Sequence, residues 1–337
     1  MSDKPIGVGI IGLGFMGRTH FRNYGAIPMA KVVAVADMNP DHLRGDWKDL
    51  SGTSGQPLDP NLNLENVALY GTHQDLLNSA LVDVVDICLP TDFHHRVAID
   101  ALRKGKHVII EKPMAQTTKQ ADDMIALGNQ QGLVLMVAHP LRFWPSYNHL
   151  GKLLSEKVYG NILTGVLRRQ CATPQWSPDL WSLYTERGGG VLKDMQIHDI
   201  DYAVSAFGLP TLMHANIVSN GKNQVALSSL RYGALEVAVE SYWVDSKSYP
   251  FKAEGVFLCE RGALYLVNTD QEDSLTIYPS NGEPLRPTLP TIDPYVEELK
   301  YFLECVKTGN RPEKCSPESS RDALKIAEDL LKSTHNA

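Results

Sequence analysis

Gly12-Leu-Gly14-Phe-Met-Gly17 restricts this chain more than any other feature. It follows an apolar run at Ile6–Ile11 and opens a helical pattern at Phe15–Tyr24, so the glycines occupy a strand-to-helix turn. There the first glycine permits a tight bend and the second lets a pyrophosphate approach the backbone. The third lets helix and strand pack closely, with free N–H groups aimed at the phosphates. The second strand ends at Asp37, twenty residues after Gly17. A carboxylate there accepts both adenosine ribose hydroxyls and repels a 2′-phosphate. Met38 and Asn39 follow, with no arginine to hold that phosphate, so NAD is expected over NADP. The plain alternative is a glycine turn in an α/β protein that binds no nucleotide, with Asp37 a solvated strand end. Glycine spacing, strand-helix context and the placed acid agree against it.

The flanking pattern extends this reading. Apolar runs at Ile6–Ile11, 31–36, 82–89, 107–110 and 134–137 have the length of parallel strands buried on both faces. Helical patterns at Phe15–Tyr24, 73–79, 94–103 and 117–131 alternate with them, as in a doubly wound sheet. Residues 41–67, polar and rich in Gly, Pro and Asn, read as a surface excursion. After Pro140 the pattern changes. Strands are expected at 158–169, 212–219, Asn223–Tyr232, 234–244, 251–259 and 263–267, joined in places by hairpin turns at Gly233 and Gly262. Helices are expected at 191–207, 294–307 and 317–332. The expected architecture is a Rossmann domain over 1–139 and, over 140–337, an open-faced antiparallel sheet covered by helices on one side. At 337 residues, two domains are the natural expectation.

Composition narrows the function. A net charge of −7 lacks the cationic stripe that nucleic acid requires. The short basic run Arg103-Lys-Gly-Lys-His107 reads as a helix end and turn. Five widely spaced cysteines with no CxxC pair suit reduced thiols, hence a cytoplasmic protein. The segment from Ile6 to Met16 contains four glycines and no cleavage signature, so no signal peptide is read, and no apolar run suits a membrane span.

A strand ends in His107-Val-Ile-Ile-Glu111-Lys112-Pro113. Ligands of doubly wound sheets lie outside the carboxyl ends of the strands, where Glu111 and Lys112 fall, and Pro113 makes a rigid mount for Lys112. Asp194 and His198 are four apart on the expected 191–207 helix and so share one face, which Asp201 continues. The Gly188–Gly190 run lets that helix start close to another backbone or ligand. Imidazole titrates in the range useful for taking a hydroxyl proton. An isolated D-x-x-x-H is more often a surface contact. Asp194 and His198 could also bind a divalent ion, but a third ligand is lacking and Lys112 would oppose it, so no metal is expected.

These motifs, with Leu89-Pro-Thr-Asp-Phe-His94, Arg142-Phe-Trp-Pro-Ser-Tyr147 and Gly188-Gly-Gly-Val-Leu-Lys-Asp194-Met-Gln-Ile-His198, resemble the glucose–fructose oxidoreductase/inositol dehydrogenase/rhizopine-catabolism (Gfo/Idh/MocA) family. The resemblance covers nearly the whole length. It implies hydride transfer between NAD, or NADP, and a sugar, inositol or related polyol. It makes His198 the acid/base, Lys112 the donor to the reacting oxygen, and Asp194 the holder of substrate hydroxyls or of the other two groups. Phe15 and Met16 would meet the pyrophosphate, Pro90, Thr91 and His94 would line the adenosine and nicotinamide ribose, and Glu111 would sit beside the nicotinamide. Arg142 would face nicotinamide or substrate at the domain junction, and Trp176 and Trp181 would wall the pocket, against a default of core packing. Gln196, Lys193 and His139 depart from residues common in the family and fall near the expected pocket. Two alternatives stay open: an NAD-retaining glycosidase-type enzyme of the same family, and a non-catalytic NAD-binding sensor. Val225, Leu227, Leu235 and Val237 are expected on an open sheet face that joins subunits into a homodimer or homotetramer.

Overall fold

In the computed structural model, which describes residues 4–47, 62–174 and 179–334, two sheets organise the chain. The first contains β1 (Ile6–Ile11), β2 (Ala30–Ala36), β3 (Ala68–Tyr70), β4 (Val84–Ile87), β5 (His107–Glu111) and β6 (Leu135–Ala138), all parallel. Their order, β3-β2-β1-β4-β5-β6, reverses between β1 and β4, which opens a crevice at the carboxyl ends of the strands. The intervening helices are α1 (Phe15–Tyr24), α2 (Pro40–Leu43), α3 (His73–Leu77), α4 (Thr91–Arg103) and α5 (Thr118–Gln131). Thr117 and Gln120 form a capping box that starts α5, and Gly132 in the left-handed region stops it. The expected excursion at 41–67 begins within α2, and its stretch 48–61 lies outside the described residues.

Beyond β6, α6 (Pro145–Ser155) precedes β7 (Ile162–Ala172). A π-helical segment at Val191–Gln196 runs directly into α7 (Ile197–Phe207). Then come β8 (Leu212–Asn220), β9 (Asn223–Tyr232), β10 (Leu235–Val244), β11 (Lys252–Cys259), β12 (Gly262–Thr269) and β13 (Asp273–Pro279), followed by α8 (Pro294–Thr308) and α9 (Pro317–Thr334). The second sheet is ordered β13-β12-β11-β7-β10-β9-β8. Its pairs are antiparallel except β7 with β10, which run parallel with Val166 opposite Ala238. One face carries Leu167, Leu230, Val237, Trp243, Phe257 and Leu266, all buried against α6, α7, α9 and the π-helical segment. The other bears exposed Leu212, Val218, Leu227, Val256, Leu258 and Tyr278.

That division corrects one expectation. Val225 and Leu227 lie on the open face, but Val237 is fully buried and Leu235 packs on the covered core. The β9–β10 turn pairs Tyr232 with Leu235, so an odd position on one strand faces an even one on the other and equal parity places residues on opposite faces. α8 also packs elsewhere than expected. Its Leu299, Phe302 and Leu303 bury against Val8, Ile10 and Tyr24, covering the first sheet rather than the second.

Candidate functional site

A cavity of about 860 Å³ lies at the carboxyl ends of the first sheet and reaches the second sheet and α8. Gly12, Gly14, Phe15, Met16, Asp37, Pro90, Glu111, Lys112, Asp194 and His198 line it. Gly12 has φ +94° and a Cβ there would meet the Cys88 carbonyl at 2.4 Å, while a Cβ on Gly17 would lie 1.8 Å from the Gly12 carbonyl. Only glycine fits either position. Gly14, the N-cap of α1, has open space where a Cβ would stand, and the first turn of α1 holds no acid. The cradle therefore suits an anion at the helix start.

Asp37 closes the far end. Its Oδ2 accepts the Leu13 N–H and its Oδ1 the Asn39 N–H, both at 2.7 Å, and His42 Nδ1 stands 3.3 Å from Oδ2. The acid is thus aimed by the glycine loop itself.

At the other end Lys112 Nζ donates to the Asp194 carbonyl at 2.7 Å and to its Oδ1 at 3.1 Å, joining the two sheets' halves. The Lys112–Pro113 peptide is cis. His198 lines the same space, its Nδ1 buried without a partner. Burial, aided by the charges of Lys112 and Arg169, pushes its pKa well below the ordinary histidine range. The ring is therefore neutral near pH 7. Asp194 lies in the π-helical turn and His198 in the α-helix after it, so the two are not the stacked pair of one α-helix. A Cβ on Gly188 would come within 2.5 Å of Ser182 Cα, the close backbone approach that the glycine run implied.

Glu111 sits between this centre and a buried network. Its Oε2 accepts the Lys112 N–H at 3.1 Å and its Oε1 is 3.4 Å from His20 Nε2; burial pushes its pKa up. Asp86 accepts from His20, Tyr24 and the Cys88 thiol at 2.9, 3.0 and 3.3 Å. Burial alone would lower the His20 pKa, but Asp86 and Glu111 lift it to about 9. His20, Asp86 and Cys88 bring three metal-capable atoms within 4.8 Å of one another. Those bonds already satisfy the Asp86 carboxylate, and we assign no metal there.

Four expected contacts lie behind the cavity rather than on it. Gly17 acts by close packing. Thr91 is buried at the start of α4. His94, fully buried, spans the Leu89 and Pro113 carbonyls at 2.8 and 2.9 Å, tying α4 to the loop that carries Lys112. Arg142 is the clearest correction: its guanidinium is bidentate to Asp201 at 2.7 and 2.8 Å and also reaches Ser319 and the Lys314 carbonyl. Asp201, expected to continue the Asp194–His198 face, is its buried partner. The three departures brace the π-helical segment and its surroundings instead of lining the cavity. Gln196 donates to the Ala226 and Val239 carbonyls and accepts from Ser228; Lys193 donates to the Gln116 carbonyl; His139 lies 3.4 Å from Asp201. Trp181 lines the cavity, and Trp176 lies outside the described residues.

Sequence reasoning missed Arg169, Trp243, Phe251, Asn268, Asp270 and Tyr295 on the wall. An arginine at an inward position of an apolar strand was the available signal for Arg169, which is bidentate to Asp199 at 2.8 and 3.0 Å.

Residues 6–139 match the profile described as an oxidoreductase family with an NAD-binding Rossmann fold, and 147–265 match the Gfo/Idh/MocA C-terminal domain. The chain belongs to the Gfo/Idh/MocA family. Its members include NAD(P)-dependent sugar and polyol dehydrogenases, and residues 6–139 form an NAD(P)-binding Rossmann domain. The Escherichia coli oxidoreductase YdgJ is 29% identical over 74% of this chain and 63% of its own length. Myo-inositol 2-dehydrogenase of Thermotoga maritima is 28% identical over 90% of this chain and 89% of its own. The fold is shared with aldose-aldose oxidoreductase of Caulobacter crescentus, at a TM-score of 0.81 and 20% identity, covering 99% and 98% of the two chains.

Proposed function

We propose that this chain is an NAD-dependent dehydrogenase moving a hydride between the nicotinamide and a hydroxyl-bearing carbon of a sugar, inositol or related polyol. The observation that carries the proposal is the convergence of Lys112, Asp194 and His198 in one cavity with the glycine loop. Backbone groups of Gly12–Gly17 would hold the pyrophosphate, with Phe15 and Met16 at the helix start, and Asp37 would hold the adenosine ribose. Pro90 and Glu111 would border the ribose and ring at the reacting end, with Thr91 and His94 supporting them from beneath. When bound, the nicotinamide supplies the hydride acceptor. Neutral His198 would take the hydroxyl proton on a ring nitrogen. Lys112 would donate to the oxygen as it gains charge, held in place by Asp194.

The test is a panel of inositols, aldoses, uronates and amino sugars with NAD and NADP. NADH absorbance at 340 nm should rise with at least one; product release without net NADH would favour the glycosidase-type reading, and silence across the panel would sink ours. Asp37→Ser separately tests the cofactor preference. Losing a charged acceptor costs about 1.5–3 kcal/mol, so NAD affinity should fall about tenfold or more while NADP affinity holds or improves. An unchanged NAD/NADP ratio would remove Asp37 from the ribose site.

We further propose a division near 139/140, with α8 returning to the first sheet, and residence in the cytoplasm, which the five free cysteines favour. Among the described residues no helix is long and apolar enough to cross a membrane. The open face of the second sheet, with Leu227 and Val256 exposed by 39% and 41%, would join subunits into a homodimer or homotetramer. Sedimentation of a monomer at micromolar concentration would refute that assembly.

A further inference from the structure

We infer that the substrate is electrically neutral, a pyranose or cyclitol bearing no carboxylate or phosphate. The inference rests on the sugar or polyol reading above and narrows it.

Among the described residues four cationic side chains of lysine or arginine line the cavity: Arg96, Lys112, Arg169 and Arg187. Arg96 belongs to the end that Asp37 marks. It stacks on Phe93 one turn before Asp100, which binds His73 of α3, and α3 follows the strand whose Tyr70 carbonyl accepts the Asp37 N–H. The other three border the reacting end, and each is already closed by a carboxylate. Lys112 holds Asp194. Arg169 is locked to Asp199 through two hydrogen bonds, with side chains only 6% and 1% exposed. Arg187 meets two acids at once, Asp92 at 3.0 Å and Asp179 at 2.7 Å. Asp270 lines the same space. Glu111 lines this end as well, so three cations face six carboxyl groups.

An anionic group entering this end would have to take a cation from its partner. Taking Arg169 would strand a buried aspartate, and taking Lys112 would disarm the catalytic donor. Left unpaired, the anion would lose its hydration beside acids of like sign. A neutral ring meets neither obstacle. Trp181, Trp243 and Phe251 offer apolar faces to ring C–H bonds, and Asn268 and Asp270 offer donors and acceptors to hydroxyls. Discrimination here comes as much from what the site repels as from what it attracts.

Matched pairs test this: D-glucose against D-glucuronate and D-glucose 6-phosphate, and myo-inositol against its 1-phosphate. In the NADH-loaded protein, quenching of tryptophan fluorescence should give a Kd at least about tenfold lower for the neutral member of a pair. With NAD, kcat/KM should follow the same order. Asp92→Asn, at the rim, releases Arg187 from one acid and should narrow the ratio severalfold. Equal or tighter binding of the charged member, or no binding by any neutral member, overturns the inference. Neutral binding without turnover leaves it standing and sinks the hydride-transfer reading instead.

Discussion

Lys112→Met should lower kcat by about 10³-fold, the scale on which one donor to a developing oxyanion acts, while leaving NAD affinity within about threefold. Methionine keeps the length of the side chain and removes the charge. The ammonium touches Asp194 but no residue of the glycine loop, so the cofactor cradle should be unaffected. A second signature follows from electrostatics. The Lys112 charge is among the causes, after burial, that hold the His198 imidazole below its ordinary pKa. Removing that cation favours the imidazolium, so the acid limb of residual kcat/KM should move to higher pH. Steady-state rates across pH, with NAD titration by fluorescence, provide the check. Full activity in the variant, or loss of NAD binding equal to the loss of rate, would dismiss Lys112 as the donor.

Arg142→Met should cost about 3–5 kcal/mol of stability, because it strands Asp201 as a fully buried charge. Activity per folded molecule should persist, since Arg142 lies off the cavity wall. Urea denaturation measures the first and active-site titration the second. Adding Asp201→Leu should recover part of the loss, because removing both members of a buried pair is milder than removing one. A stable Arg142→Met protein that no longer binds NAD would restore the residue to the cofactor site.

The different fates of Arg142 and Lys112 show how far sequence carries. The glycine loop, Asp37 and Lys112 were legible because each is fixed by its own strand end and local spacing. The pairings of Arg142 with Asp201 and Arg169 with Asp199 span 59 and 30 residues, and no local pattern encodes them. The 191–207 apolar pattern read as one helix because a π turn changes the hydrogen-bond step without breaking the run. α6 went unassigned because its start at Pro145 lies inside a motif read for its side chains. β13 was missed because Asp273, Ser274 and Thr276 dilute its apolar signal, and β3 is three residues long. The open face was misjudged in part because turn register decides parity across a hairpin.

The return of α8 to the first sheet bears on how the molecule comes into being. Val8, Ile10 and Tyr24 lie in β1 and α1, whereas Leu299, Phe302 and Leu303, which shield them, lie far along the chain in α8. A chain cut between β6 and α8 would leave the apolar side chains of β1 and α1 without the cover of Leu299, Phe302 and Leu303, a sticky surface until α8 docks.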